Sequence, residues 1–392
     1  MRLQEYFFLA PYLGLGRSIL VNKDNKRIIP FFDYPSVYKS KKEDFITCFD
    51  EVCSRGAFIM QKDLKNFETH LSAFCGANYA IGVGNATDAL EILLQVNGID
   101  RQDEVIFCSH TMIATASAIY TVGAVPVPVE AGYDHLIDPE SIDYAITSKT
   151  KAIVLTHLNG RTCNMDSIID IAENNNLLVF EDAAQALGSS FKNQHAGTFG
   201  VGGCISFYPA KLLGCFGDGG AIICQSKDVY EKINLIRDHG RNPESGEIEC
   251  WGRNSRLDNL QAAFLDQQLK DYQTVIERRR AIAAYYDEKL NHLEQIVLPP
   301  SPKNNDKHFD VFQNYEIEAL HRDKLKNYLA DRGIGTLIQW GGKAVHQFRE
   351  LGFTQILPYT ESLFERMLML PMNMSISDRD IDYICDNIVK FY

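Results

Sequence analysis

Short apolar runs alternate with segments of helical periodicity between residues 79 and 224. The runs have the length of strands and lie at residues 79–83, 104–108, 125–129, 152–156, 177–180, 204–207 and 221–224. Helical patterns separate many of them, at residues 89–96, 111–120 and 165–174. Two prolines in 125–129 place that strand at a sheet edge. Alternation of this kind predicts an α/β fold with a mostly parallel sheet and helices on both faces.

The pattern changes towards the C-terminus. Residues 233–239, 257–272 and a long segment reaching residue 290 predict helices, and 299–305 predicts a loop. From residue 311 onward the order is strand, helix (323–332), strand, helix (361–367) and helix (378–391), which predicts a smaller α/β domain. We therefore expect an N-terminal arm (1–45), a large domain (46–275) and a small C-terminal domain (276–392).

Composition and charge exclude several classes of protein. The chain has 392 residues and a formal net charge of -12, which opposes general binding to a nucleic-acid backbone. Its ten cysteines form no C-x-x-C pair, so we expect buried thiols in a reducing compartment rather than disulfides or a metal site. The apolar stretch 7–16 is too short to span a bilayer and lacks the features of a signal peptide. We expect a cytoplasmic protein without a membrane span.

One lysine stands out in the glycine-rich segment 206–220. Lys211 lies between two predicted buried strands, where loss of hydration disfavours its ammonium form. A neutral amine attacks carbonyls and can hold a cofactor as a Schiff base. A surface lysine on a glycine-rich turn is an equally good interpretation of this segment taken alone.

The turn 84–88 follows the first strand of the predicted sheet and precedes a helix. The free N–H groups of a first helical turn favour a phosphate, and Thr87 can add a hydroxyl donor. An ordinary connection, with Asn85 or Thr87 as the N-cap, is the alternative.

Asp182 follows the strand 177–180 at the carboxyl edge of the predicted sheet, where ligands bind in such folds. A carboxylate there can hold a pyridinium proton by a charge-assisted hydrogen bond. The alternative is an N-cap on the following turn.

Four motifs in this order resemble those of fold-type I pyridoxal-phosphate (PLP) enzymes. More specifically, the chain resembles the DegT/DnrJ/StrS family of sugar-nucleotide aminotransferases, from Ile29 to the C-terminus. The motifs are residues 84–90, 181–188, 206–220 and 252–263. The resemblance implies a PLP-dependent transferase fold of type I, with pyridoxal 5'-phosphate bound by the large domain.

The resemblance also implies roles for single residues around the cofactor ring. Lys211 binds PLP covalently, Asp182 pairs with the pyridine nitrogen, and Gln185 lies near the ring hydroxyl. Family members usually stack an aromatic residue on the ring at the position of Met112; a thioether can pack on an aromatic face in its place.

Further roles implied by the resemblance concern the phosphate and the substrate. The phosphate is held by Ala86, Thr87 and Ser206, and Asn254 reaches it from the neighbouring subunit, which implies a homodimer with shared active sites. In the small domain, Trp340 stands where a tyrosine is common, and His346 matches a histidine near the substrate.

The activity implied by the family is transamination. An amino group moves from L-glutamate to a 3-keto or 4-keto sugar linked to a nucleoside diphosphate, in amino-sugar or polysaccharide biosynthesis. Three alternatives are a PLP-dependent sugar dehydratase, a catalytically silent regulatory homologue and a Rossmann-type oxidoreductase. Dehydratases replace the lysine by histidine, a silent homologue would lose Lys211 or Asp182, and no G-x-G-x-x-G follows the first strand.

Overall fold

The computed structural model describes residues 27–303 and 307–392. Its strands, in chain order, are β1 (Tyr79–Val83), β2 (Glu104–Cys108), β3 (Val125–Val129), β4 (Thr150–Thr156), β5 (Leu178–Asp182), β6 (Ser190–Phe191), β7 (Gln194–His195), β8 (Gly202–Ser206), β9 (Gly220–Cys224), β10 (Ile296–Val297), β11 (His308–Phe309), β12 (Tyr315–Ala319) and β13 (Met367–Leu370).

The helices of the same residues are α1 (Tyr34–Ser40), α2 (Lys42–Ser54), α3 (Lys62–Cys75), α4 (Ala86–Val96), α5 (Ile113–Thr121), α6 (Pro139–Ala145), α7 (Met165–Asn175), α8 (Lys227–Arg237), α9 (Asn259–Leu269), α10 (Tyr272–Leu290), α11 (Arg322–Ala330), α12 (Pro358–Arg366) and α13 (Asp378–Phe391).

Seven strands form the central sheet, in the order β1-β9-β8-β5-β4-β2-β3. All are parallel except β9, which runs antiparallel to both β1 and β8. The proline-containing strand β3 lies at one edge, as the sequence predicts. The carboxyl ends of β1, β2, β4, β5 and β8 therefore meet along one side of the sheet.

Both faces of this sheet are buried, which is why its strands are nearly continuous apolar runs. Successive side chains point to opposite faces: Phe107 on β2 packs with helices α4 and α5, whereas Ile106 packs with residues of α7. On the side nearer to β9, Ile205 and Ile223 pack against α3 and α9. The mostly parallel α/β architecture with helices on both faces is confirmed.

A second sheet, β10-β12-β13, is antiparallel and belongs to the C-terminal part of the chain. It packs against α10, α11 and α13 in a separate apolar core that includes Tyr286, Ile317 and Ile384. A short third sheet, β11-β6-β7, joins the two parts. Helices α2 and α10 run across the expected boundaries at residues 45 and 275, and the three-part division stays a prediction.

The local differences from the sequence prediction fall where elements are short. The strand expected after Gly333 is wrong: those residues form only the isolated bridges Ile29–Ile334 and Leu337–Met369. The third strand of the small sheet is β13 instead, after α12. Helix α6 was not predicted, although Asp138 caps its first-turn amides in the usual way.

Within the part of the chain that the structure describes, no helix has the length and apolar content needed to cross a bilayer. The apolar stretch 7–16 and most of the expected N-terminal arm lie outside the described residues.

A buried carboxylate joins the two sheets. Glu316 on β12 is 1% exposed and accepts hydrogen bonds from His135 Nδ1 at 2.9 Å, Asn159 Nδ2 at 3.2 Å and Gln339 Nε2 at 2.6 Å. His110 Nε2 lies 3.5 Å from the same carboxylate. The strand of the small sheet is thereby attached to the loops that follow β3 and β4.

His135 carries a proton on each ring nitrogen, because Nδ1 donates to Glu316 and Nε2 to Glu318 at 3.2 Å. Burial opposes this charge, but the hydrogen bonds and attraction to the two carboxylates outweigh it and raise the pKa of His135 to about 9. The proximity of His110 and then of His135 lowers the pKa of Glu316, although burial acts in the opposite direction. At neutral pH the small sheet is therefore attached to the loop after β3 by an ion pair between His135 and the two carboxylates.

We predict that replacing His135 by Gln destabilises the protein in a pH-dependent way. The folded pKa lies above the ordinary 6.5, so the stabilisation is complete below about pH 6.5 and is lost as pH rises through about 9. The difference in free energy of unfolding should reach about 3 kcal/mol at most. Urea unfolding of wild type and variant at pH 6 and pH 10 measures it, with exposed His292→Gln as the control. An equal difference at both pH values would contradict the charged pair.

Candidate active site

A cavity of about 360 Å³ opens at the carboxyl ends of the central strands, between the two larger sheets. Its size is typical of a site for a small organic ligand. Eight of the ten site residues expected from the sequence line it: Ala86, Thr87, Met112, Asp182, Gln185, Ser206, Lys211 and Trp340. A second cavity of about 450 Å³ adjoins it and also reaches Lys211, but Asp182 and the turn before α4 do not line it.

Lys211 lies on the loop that joins β8 to β9, as the sequence predicts. The loop turns sharply there, since Lys211 N donates to Tyr208 O at 2.8 Å. Burial lowers the pKa of Lys211 below its ordinary value, although the attraction of Asp182 and Cys204 acts against this. No described residue makes a hydrogen bond or ion pair with its amine. The structure therefore presents a side chain that loses its proton more readily than an exposed lysine.

Asp182 ends strand β5 and is 6% exposed. Its Oδ2 accepts a hydrogen bond from Thr115 Oγ1 at 2.8 Å, and its Oδ1 accepts one from Ala184 N at 3.2 Å. The thiol of Cys204 lies 3.4 Å from Oδ1. These contacts fix the carboxylate at the floor of the cavity, where it can receive a proton-bearing nitrogen of a ligand.

The hydrogen bond to Asp182 belongs to a chain of buried hydroxyls. Thr115 Oγ1 lies 2.9 Å from Thr111 Oγ1, which lies 2.9 Å from Thr156 Oγ1. A carboxylate only accepts hydrogen bonds, so Thr115 must donate to Asp182. Thr111 then donates to Thr115, and Thr156 donates to Thr111. All three protons are directed towards Asp182.

The N-terminus of α4 faces the same cavity through Ala86 and Thr87. The side chain of Asn85 caps the helix by accepting a hydrogen bond from Asp88 N at 2.8 Å. This cap does not use the amides of Ala86 and Thr87. Gly220 on β9 lets the turn approach closely, because a Cβ there would lie 2.5 Å from Asn85 C and 2.7 Å from Ala86 N. Free amides at a helix N-terminus suit a phosphate.

Gln185 lies at the cavity wall and connects several loops. Its Oε1 accepts from Asn159 N at 2.9 Å and from Asn314 Nδ2 at 3.3 Å. Ser206 is 9% exposed at the end of β8, and its Oγ accepts from Tyr208 N at 3.3 Å.

Met112, from the central-sheet part of the chain, and Trp340, from the C-terminal part, both line the cavity. Met112 is 44% exposed just before α5, where its thioether is available to a ligand. Trp340 adopts a left-handed backbone conformation with φ of 47°, and its ring meets that of His110 edge to face at 5.5 Å. A non-glycine residue held in this conformation is strained, which is common in binding sites.

Asn254 and His346 do not line the cavity. Asn254 is exposed on the segment after α8, where it forms a backbone bridge to Asp238. His346 is fully buried, with Nδ1 2.6 Å from Ser109 Oγ and Nε2 3.1 Å from Glu361 Oε1. In the described structure His346 joins the end of β2 to α12, so the expected contact with substrate stays a prediction.

Several cavity residues were not predicted from the sequence. They are uncharged and polar: Thr111, Thr156, Gln313, Asn314 and Gln339. Thr156 ends a predicted strand, and Thr111 and Thr115 are one helical turn apart, so position alone could have nominated them. Gln313 and Asn314 come from the C-terminal part of the chain and had no comparable signal.

This combination of a parallel sheet, a lysine of lowered pKa, a strand-end aspartate and an open helix N-terminus is the layout of a fold-type I PLP enzyme. Residues 39–389 match the model of the DegT/DnrJ/EryC1/StrS aminotransferase family. The chain belongs to this family, and the predicted family, fold and class of enzyme, a sugar aminotransferase, are confirmed.

Named relatives differ in their recorded activity. The chain is 36% identical to a pleiotropic regulatory protein of Geobacillus stearothermophilus, over 93% of this chain and 98% of that protein. It is 35% identical to a dTDP-3-amino-3,4,6-trideoxy-alpha-D-glucose transaminase of Streptomyces venezuelae, over 88% of this chain and 91% of that protein.

Solved structures agree with the fold. The crystal structure of S. venezuelae DesV with a ketimine intermediate matches with a TM-score of 0.89 and 33% identity, covering 93% of this chain and 98% of DesV. The Bacillus subtilis protein NtdA, solved with the cofactor PMP, matches with a TM-score of 0.86 and 27% identity, covering 93% and 86%.

We predict that Thr115→Val lowers stability by about 1.5–3 kcal/mol, because it removes a hydrogen bond to a buried charged group while keeping the shape of the side chain. Turnover should fall as well, since Asp182 loses its partner on Oδ2. Urea unfolding and steady-state kinetics measure the two effects. Thr121→Val, on the exposed end of the same helix, should change stability by about 0.5 kcal/mol or less. Equal effects of the two substitutions would contradict a special role for the hydroxyl chain.

Proposed function

We propose that this protein is a PLP-dependent transaminase that transfers an amino group from L-glutamate to a 3-keto or 4-keto sugar linked to a nucleoside diphosphate. The observation that carries the proposal is that Lys211, Asp182 and the open N-terminus of α4 line one cavity. The family and the named transaminase among the relatives support it. An amino-sugar pathway, such as that of a surface polysaccharide, is the expected context.

The cavity residues fit pyridoxal 5'-phosphate. The free amides of Ala86 and Thr87, with the hydroxyl of Ser206, can hold its phosphate without a cationic side chain. Asp182 could accept the pyridine N–H, and the carboxamide of Gln185, in the same cavity, could meet the ring hydroxyl. Bound PLP supplies the electron sink that stabilises negative charge on the substrate carbon.

The residues of the chain then provide placement and proton transfer. Asp182, ordered by Thr115, would keep a proton on the ring nitrogen of bound PLP by accepting its hydrogen bond. Lys211 would hold bound PLP covalently, and its free amine would move a proton at the substrate carbon. This role requires a neutral amine, and burial lowers the pKa of Lys211 in the appropriate direction.

The charge of the cavity supports a shared active site. Among the described residues, its charged lining consists of Lys211, Asp182 and Asp218, and these offer no spare cation to the diphosphate of a sugar nucleotide. We propose that a neighbouring subunit completes the site and that Asn254 belongs to its contribution. Exposed apolar side chains on α2, on the segment after it and on the lysine loop can form the contact: Ile46, Phe49, Phe58 and Phe216.

One relative is named as a regulatory protein, so a regulatory role without catalysis is the second candidate function. The presence of both Lys211 and Asp182 in a single cavity supports catalysis, and Lys211 also argues against a dehydratase. A cytoplasmic location agrees with the ten free cysteines, of which seven are buried.

We predict that borohydride reduction of the PLP-loaded protein fixes the cofactor to Lys211. The reason is that this partly buried lysine lines the same cavity as Asp182 and loses its proton more easily than a solvated lysine. Loss of visible absorbance and peptide mapping measure the reaction, with Lys211→Ala as the unlabelled control. Label on a different lysine would contradict the assignment.

Mixing two inactive variants tests the shared site. We predict that Lys211→Ala and Asn254→Ala subunits, each poorly active alone, recover part of the activity when they form mixed dimers. If Asn254 serves the neighbouring site, one site of each mixed dimer carries both defects and the other carries neither. Transaminase activity after mixing measures this, with each variant mixed with itself as control. No recovery despite subunit exchange would show that Asn254 serves its own subunit.

A further inference from the structure

One glutamine holds the backbone on both sides of Lys211. Gln313 Oε1 accepts a hydrogen bond from Leu212 N at 3.0 Å, and Gln313 Nε2 donates to Ala210 O at 2.9 Å. The side chain is 6% exposed, so these hydrogen bonds are shielded from water. A single carboxamide therefore fixes the peptide groups immediately before and after the lysine.

The backbone of Gln313 is itself held firmly. The guanidinium of Arg279, which is 7% exposed, donates to Phe312 O at 3.0 Å and also to the carbonyls of Gln313 and Met372. Phe312 adopts φ of 53°, a left-handed conformation that costs energy for a residue with a side chain. The three hydrogen bonds of Arg279 maintain this turn, which directs Gln313 towards the lysine loop.

The next residue along the chain contacts the opposite wall of the cavity. Asn314 Nδ2 donates to Asn159 Oδ1 at 2.9 Å and to Gln185 Oε1 at 3.3 Å. Two consecutive side chains in front of β12 thus join the C-terminal part of the chain to both Lys211 and Gln185.

Two other glutamines hold the same loop farther from the lysine. Gln261 on α9 brackets Phe216, accepting from its N at 2.9 Å and donating to its O at 3.1 Å. Gln268 on the same helix donates to Gly214 O at 3.0 Å. These contacts involve the central-sheet part of the chain only, and they offer a matched comparison with Gln313.

We propose that Gln313 is a positioning residue that sets the direction of the Lys211 amine, an inference that rests on the proposed function. No described residue holds the amine itself, so its direction follows from the backbone of residues 210–212. Gln313 determines that backbone and couples it to the position of the small sheet. A misplacement of the reacting amine by about 1 Å is enough to slow the chemical step strongly.

The first experiment examines the loop in the cofactor-free protein, where activity plays no part. Gln313→Met has nearly the length of glutamine but lacks the N–H donor and the carbonyl acceptor. Hydrogen–deuterium exchange followed by mass spectrometry should show exchange about tenfold faster in peptides covering residues 209–213. Gln261→Met should accelerate exchange around Phe216 and leave 209–213 unchanged. Unchanged exchange at 209–213 in Gln313→Met would overturn the inference.

The second experiment uses the PLP-loaded protein. Gln313→Met should shift the pH at which the visible absorbance of the lysine-bound cofactor changes and should lower kcat about tenfold or more with little change in KM. Gln261→Met, which loosens the loop only around Phe216, should leave the absorbance titration as in wild type. If Gln313→Met does not fold, Gln313→Asn, which is too short to reach both peptide groups, is measured in the same way.

The outcomes separate this inference from the proposed function. A wild type that binds PLP at Lys211, together with a Gln313→Met variant of unchanged titration and kcat, would overturn the inference alone. A rise in KM with unchanged kcat would also overturn it, because that result indicates contact with substrate. A wild type that takes up no PLP at Lys211 would contradict the proposed function and the inference together.

Discussion

The hydrogen bonding of the Asp182 carboxylate is the constraint around which the cavity is arranged. A charged carboxylate that is 6% exposed needs donors, since an uncompensated buried charge is strongly unfavourable. Thr115 and the Ala184 amide supply them. This requirement places α5 beside the end of β5 and commits the hydroxyls of Thr111, just before α5, and of Thr156, at the end of β4. The site and its supports are therefore one hydrogen-bonded unit.

The neighbouring carboxylate shows how one strand serves two purposes. Glu181 precedes Asp182 on β5 and points to the opposite face, because side chains alternate along a strand. It is fully buried and accepts from His157 Nε2 at 2.9 Å and from the amides of Gly197 at 2.6 Å, Phe199 at 2.6 Å and Gly200 at 2.8 Å. These hydrogen bonds anchor the segment leading into β8. Asp182 keeps a face towards the cavity, and that difference distinguishes the two carboxylates.

The sequence allowed the central sheet to be predicted because burial on both faces leaves uninterrupted apolar runs, such as residues 152–156. It also allowed Lys211 and Asp182 to be selected, because the order of four motifs resembles a known family. It could not indicate the hydrogen bonds of Gln313 to the lysine loop or of Thr115 to Asp182, because these bonds join residues about 100 and 67 positions apart. His346 shows the same limit, since a matching position in a motif does not state which surface a side chain faces, whereas the contact expected of Asn254 lies in a neighbouring subunit and stays a prediction.

Strand β12 gives a physical reason for this limit. Its residues alternate between apolar and acidic, Tyr315 and Ile317 with Glu316 and Glu318, which from the pattern alone indicates one face in a core and one in water. Tyr315 and Ile317 do pack into the core of the small sheet. Glu316 and Glu318, however, are 1% and 6% exposed, because His135 and other donors cover the polar face. The polar face of this strand is thus an internal contact between the two sheets, and the residues just before it, Gln313 and Asn314, extend that contact to the lysine loop. The geometry of the cavity consequently depends on how the small sheet is attached to the central one.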